Sequence, residues 1–156
     1  MRRSSLILAL AVLAAGCSGG GEGGGAPGAP AAGAPGGTAP PAHIAWEQAQ
    51  KLEVVLDDYS FTPSQVVLRA NQPYVLRLRN AAGARHSFTA PEFFRTAALG
   101  PGDASAQVRA GGGSVTVAPG ETASLDVLPL RPGTYPLTCD RPLHALFGMT
   151  GQIVVQ

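Results

Sequence analysis

Sulfur and histidine are scarce in this chain: 156 residues hold two cysteines, two methionines and three histidines. Met1 starts an N-terminal leader and Cys17 closes it, so the remainder has one cysteine, Cys139, and one methionine, Met149. If Cys17 is modified, Cys139 has no partner for an intramolecular disulfide, and a lone thiol in an oxidising compartment is a liability unless something holds it. A metal does so. The apolar run of the leader, from Leu6 to Ala15, is too short to span a bilayer as a permanent helix. From Cys17 onward nine basic residues face ten acidic ones, a net charge near −1, and without a basic excess nucleic acid is excluded as a partner. No internal repeat is present.

What is present begins with Arg2 and Arg3, the apolar run, and small residues ending at Cys17, which together have the form of a secretory signal over residues 1–16. The A-A-G-C ending resembles a bacterial lipobox, which implies a lipidated Cys17 and export to the periplasm. Ser18 follows where an aspartate signals inner-membrane retention, so the expected location is the periplasmic face of the outer membrane. Two or more acyl chains give stable anchoring. Residues 18–42 contain only Gly, Ala, Pro, Ser, Thr and Glu, a composition that cannot build a core. Residues 17–45 are therefore read as a lipidated cysteine and flexible tether, whose coil spans roughly 30 Å and whose taut form spans about 95 Å. The G-E-G-G-G run lacks the flanking strand and helix of a phosphate loop. His43, at the end of this segment, has no sequence partner and is left unassigned.

Residues 46–156 read as one domain with period-two patterning, punctuated by Pro and Gly. Leu52, Val54 and Leu56 share one face, as do Tyr74, Leu76 and Leu78, with Arg77 and Arg79 opposite. Ala123, Leu125 and Val127 alternate with Ser124 and Asp126. Further strands are expected at 65–69, 114–118, 134–138 and 151–155, and a short helix at 92–99. Seven to eight short strands without a long helix predict an all-β, antiparallel Greek-key sandwich.

The chemistry gathers in T-C-D-R-P-L-H-A-L-F-G-M, residues 138–149. Tyr135, Leu137 and Cys139 fall on one strand face, so Cys139 points inward at the sandwich end. His144 and Met149 follow at Cys-x4-His-x4-Met spacing, which lets one loop wrap three donors around a point. His86, in R-H-S-F after the strand ending at Asn80, belongs to a segment that can lie beside this loop. One thiolate, two imidazoles and one thioether favour copper over calcium, magnesium or structural zinc. Two imidazoles and a thiolate with a long axial thioether form the mononuclear blue-copper arrangement.

Y-P-L-T-C-D-R-P-L-H-A-L-F-G-M-T-G-Q-I-V-V, with R-H-S-F-T-A-P-E-F-F upstream and L-D-D-Y-S-F-T-P-S at the start, resembles the cupredoxin family of type 1 copper proteins (azurin, auracyanin, plastocyanin) over residues 52–156. The resemblance implies one type 1 copper site with His86, Cys139, His144 and Met149 as metal ligands. It also implies one-electron transport between redox partners such as a cytochrome c or a terminal oxidase, with no catalytic residues. In the family the residue after the first histidine, here Ser87, gives its backbone amide to the thiolate. Pro142, Leu143, Ala145, Leu146 and Phe147 flank His144 as a small docking patch. A periplasmic copper carrier or homeostasis protein is the alternative. A multicopper oxidase needs further histidine clusters, and a Cys-His hydrolase leaves Met149 and one histidine unexplained.

Overall fold

In the computed structural model, residues 43–156 are described. The expected signal at 1–16, Cys17 and the tether up to residue 42 lie outside the described residues.

A single 3-10 turn, Trp46–Gln48, leads into ten strands: β1 Gln50–Asp57, β2 Ser60–Thr62, β3 Gln65–Leu68, β4 Tyr74–Asn80, β5 His86–Thr89, β6 Ala97–Leu99, β7 Ser114–Val117, β8 Thr122–Pro129, β9 Gly133–Thr138 and β10 Thr150–Val155. They form two five-stranded sheets, ordered β2-β1-β4-β8-β6 and β3-β10-β9-β5-β7. The expected sandwich is present, with two or three more strands than the alternation marks. The additional ones are β2, β5 and β6: β2 and β6 have three residues each, and β5 buries His86, Ser87 and Phe88 in succession and so does not alternate.

Most pairings are antiparallel, but β1 with β4 and β3 with β10 run parallel. Both follow from the chain changing sheets. After the β1–β2 hairpin in one sheet, β3 joins the other, and β4 returns beside β1 in the same direction. The short-helix expectation at 92–99 divides. Helix α1 covers Pro91–Phe94 with proline in its first turn, and the Thr96 hydroxyl donates to the Phe93 carbonyl at 2.9 Å. Ala97–Leu99 are then captured by β8, with Ala98 opposite Leu128. Pairing with a neighbouring strand overrides local helix propensity here. A second helix, α2 Asp103–Ala110, was not anticipated; its buried residues are Ala104, Ser105 and Val108, a stripe too small to signal a helix in sequence.

The core between the sheets follows the alternation. Val54, Leu56, Leu76, Leu78, Leu125 and Val127 face Val66, Leu68, Phe88, Val115, Leu137 and Ile153, all fully buried. Burying each such side chain contributes about 1.5–3 kcal/mol. The Tyr74/Leu76/Leu78 face continues to Asn80, a polar residue that is 1 % exposed. Its amide nitrogen donates to the carbonyls of Ala84 (2.8 Å) and Val117 (2.9 Å), and its Oδ1 accepts from the Ala82 amide (3.0 Å). This one side chain organises the 81–85 loop and so sets where His86 enters β5.

A candidate metal centre

Three donors meet at one end of the sandwich. His86 opens β5 opposite Val117 of β7 and is fully buried. Cys139 follows β9 directly, 2 % exposed, and is the free cysteine among the described residues. The 139–149 loop then folds back on itself. The Cys139 amide donates to the Met149 carbonyl (3.2 Å), the Met149 amide to the His144 carbonyl (2.9 Å) and the Phe147 amide to the Leu143 carbonyl (2.9 Å). Gly148 takes φ of +101°, in the left-handed region that glycine enters without a steric cost. These backbone hydrogen bonds hold the shape of the loop. His144 is half-buried, and Met149, which closes the loop, is fully buried.

In the donor triangle Cys139 Sγ lies 4.0 Å from His86 Nδ1 and 3.8 Å from His144 Nδ1, and the two Nδ1 atoms are 3.2 Å apart. One ion bound at about 2.0 Å from each nitrogen and 2.3 Å from sulfur needs donor separations of roughly 3.3–3.8 Å. The triangle matches within a few tenths of an ångström. Burial, together with the neighbouring His144, lowers the His86 pKa from its ordinary value, against the opposing pull of Asp58 and Asp57. A neutral imidazole is the form that ligates.

Behind the sulfur lies a hydroxyl–carboxylate network. The Ser87 amide donates to Cys139 Sγ at 3.5 Å, as the resemblance implies. Ser87 Oγ is 2.6 Å from Asp140 Oδ1, and Ser114 Oγ donates to Asp140 Oδ2 at 2.9 Å. The Asp140 amide donates back to Ser87 Oγ at 2.8 Å, and Thr89 Oγ1 is 2.8 Å from Ser114 Oγ. Thr89 Oγ1 also donates to Ser87 Oγ at 3.2 Å, so the three hydroxyls and the carboxylate form one connected network. Burial opposes ionisation of Asp140, but hydrogen bonds from Ser87, Ser114 and Thr89, with the charge of Arg141, outweigh it and hold the carboxyl below its usual range. The network ties β5 and β7 to the start of the loop. Asp140, Thr89, Ser114 and Asn80 carry no motif; only Asn80, polar at an inward position of an alternating strand, left a trace in the sequence.

Around His144 the surface is apolar. Leu143, Leu146 and Phe147 are 62 %, 80 % and 59 % exposed, and Tyr59 stands edge-on to both His144 and Phe147 with centroids 5.3 Å away. Pro142 is also exposed.

The model of the cupredoxin-like domain matches residues 36–155. The chain belongs to this family. Among solved structures, auracyanin B is 25 % identical, covering 70 % of this chain and 90 % of its own, with a TM-score of 0.50. The dithionite-reduced auracyanin of the photosynthetic bacterium Roseiflexus castenholzii is 18 % identical, covering 69 % of this chain and 98 % of its own, also at 0.50. The McoA multicopper oxidase of the hyperthermophile Aquifex aeolicus is 17 % identical at a TM-score of 0.55, but this cupredoxin spans only 31 % of it. The last two show a shared fold. No curated protein matches the sequence. Family and donor chemistry agree: the His86, Cys139 and His144 cluster of this cupredoxin, with Met149 buried at the end of the same loop, fits one type 1 copper site.

Proposed function

We propose that this cupredoxin carries single electrons through a blue-copper site whose ligands are His86, Cys139, His144 and Met149. The observation that carries this reading is the donor triangle, built by two segments 53 residues apart and closed to 4.0 Å. Bound copper supplies a one-electron Cu(I)/Cu(II) couple at that position. The chain's own groups do the rest. Cys139 provides the thiolate, steadied by the Ser87 amide. Hydrogen bonds between the Cys139, His144 and Met149 backbones keep the donors in place when the charge changes, so little rearrangement accompanies transfer. The buried His86 excludes water from one side. His144, half-buried among Leu143, Leu146, Phe147 and Tyr59, is the one imidazole with a path to the surface, and its patch suits brief docking. Electron-transfer contacts are small and weak.

The likeness to auracyanins supports a carrier. An oxidase needs further histidine clusters, and of the three histidines in this sequence two already belong to this centre. The reading extends to a domain from residue 46 held near a membrane by the 17–45 tether and a lipid on Cys17. Its expected site is the periplasmic face of the outer membrane, and its partner a cytochrome c or a terminal oxidase. The test is to load the purified protein with Cu(II) and record its visible spectrum. An intense thiolate-to-copper absorption that bleaches on reduction supports the reading. A colourless protein that retains Cu(I) tightly favours a copper carrier.

A further inference from the structure

The imidazole of His86 has two ring nitrogens, and only Nδ1 faces the donor triangle. Nε2 points the other way, is fully buried and has no hydrogen-bond partner. A neutral imidazole that offers its Nδ1 lone pair must carry its proton on Nε2. A buried N–H without an acceptor is destabilising, because its lost hydration is not replaced. Asp58 Oδ1 lies 3.5 Å from this nitrogen.

Asp58 sits at the tip of the β1–β2 hairpin, whose closing pair is Asp57 and Ser60. The turn is fixed from both ends. The Asp57 carboxylate accepts the Asp58 amide at 2.8 Å, while Asp57 acts on His86 only through its charge. Tyr59 takes φ of +60°, a left-handed conformation that is strained for a non-glycine residue. Its ring nevertheless stays against His144 and Phe147. The Asp58 side chain is 65 % exposed, so its charge remains solvated while one oxygen faces the buried nitrogen. Two adjacent residues of a single turn thus reach both imidazoles, Asp58 at the outer nitrogen of His86 and Tyr59 at the ring face of His144.

We infer that Asp58 is a positioning residue for the metal centre: its carboxylate accepts the Nε2 proton of His86, fixing the tautomer and the ring orientation that present Nδ1 to the ion. Outer partners of metal-bound histidines act in this way, and their loss typically costs 10–100-fold in metal affinity. The role rests on the copper-site reading, whereas the contact itself does not.

The experiment compares Asp58→Ala, Asp58→Asn and the remote charge control Asp103→Asn with wild type. In the metal-free protein, nitrogen NMR of the His86 ring reads the tautomer directly. Wild type and the Asn variant, which keeps an oxygen acceptor, hold the Nε2–H form, and the Ala variant gains the Nδ1–H form. In competition titrations with Cu(II) alone, Asp58→Ala binds roughly 10–100-fold more weakly, Asp58→Asn recovers part of the loss, and Asp103→Asn matches wild type. The tip of an exposed hairpin tolerates these changes, and thermal melts check that all variants fold. An Ala variant with wild-type tautomer and wild-type copper affinity overturns the inference. A wild type that never turns blue overturns the copper reading instead, and the metal-free tautomer then decides the contact by itself.

Discussion

The hydroxyl of Ser87 gives its proton to the carboxylate of Asp140, 2.6 Å away, although Cys139 Sγ lies 3.5 Å from the same oxygen. Serine has one proton to donate, and the shorter, charge-assisted bond takes it. The sulfur is therefore left with the Ser87 amide as its donor in this pair, beside an ionised carboxylate. Both features enrich the thiolate in electron density and stabilise the oxidised site. We expect Asp140→Ala to free the Ser87 hydroxyl for the sulfur, remove the negative charge and raise the midpoint potential. A rise on the order of 60 mV equals one decade in relative Cu(II)/Cu(I) affinity. Adding Ser87→Ala should reverse part of that rise, while Ser87→Ala alone moves the potential little. Redox titration of the four proteins forms a double-mutant cycle, and simple additivity refutes the competition for the proton.

Replacing Cys139 with serine tests the thiolate itself. The site is nearly isosteric, and the loop is held by backbone bonds, so the sandwich should melt within a few degrees of wild type. The visible charge-transfer band should vanish entirely, because an alkoxide at neutral pH is not available to replace the thiolate. A variant that stays blue removes Cys139 from the ligand set.

The sandwich was legible because each long strand buries every second residue, and parity along Tyr135, Leu137 and Cys139 already turned the sulfur inward. The gathering of Cys139, His144 and Met149 was legible because a single eleven-residue loop covers them. His86 was legible as a candidate through its place after a strand, though not the 4.0 Å closure, which depends on β5 lying between β7 and β9. The partners that steady the donors were not legible. Asp140 meets Ser87 across 53 residues of chain and Ser114 across 26. Asp58 meets His86 only because a two-residue turn folds over the sandwich end. Such contacts are set by register and strand order, which period-two patterning leaves open. The same limit hid the parallel pairs and the capture of Ala97–Leu99 by β8.

Met149 is fully buried, and leucine matches its volume closely. Core exchange of this kind costs less than about 1.5 kcal/mol. With copper held by His86, Cys139 and His144, the Met149 thioether would donate electron density to the oxidised ion, and its loss would destabilise Cu(II) relative to Cu(I). We expect Met149→Leu to keep the blue absorption and to raise the midpoint potential. A lowered or unchanged potential assigns Met149 to the core alone.

The proposed anchor separates from the site in a simple fractionation. Cys17→Ser in the full chain, expressed with its leader, should move the protein from the membrane to the soluble exported fraction. Acyl chains contribute about 0.8 kcal/mol per buried methylene, and among the described residues no helix is long and apolar enough to cross a membrane. The copper spectrum should be unchanged, since the site lies wholly within residues 58–149. Retention of the serine variant on the membrane overturns lipidation at Cys17 as the anchor.

Docking at the His144 surface is tested by a residue that meets solvent but holds none of the donors. Leu146 is 80 % exposed, is not among the core residues and makes neither of the aromatic contacts that steady His144 and Phe147. An aspartate there costs little in folding, because surface substitutions usually stay within about 0.5 kcal/mol. It does place a charge at the centre of a patch that must shed water to meet a partner, and desolvating that charge weakens the encounter complex. We expect Leu146→Asp to slow electron exchange with a protein partner by about tenfold, equivalent to roughly 1.4 kcal/mol of docking energy. Exchange with a small inorganic reductant, which needs no such surface, should change less than about twofold. The potential and spectrum should match wild type, which separates docking from the centre. Equal slowing with both reductants places the effect at the metal centre, and no slowing with either moves the docking surface away from His144.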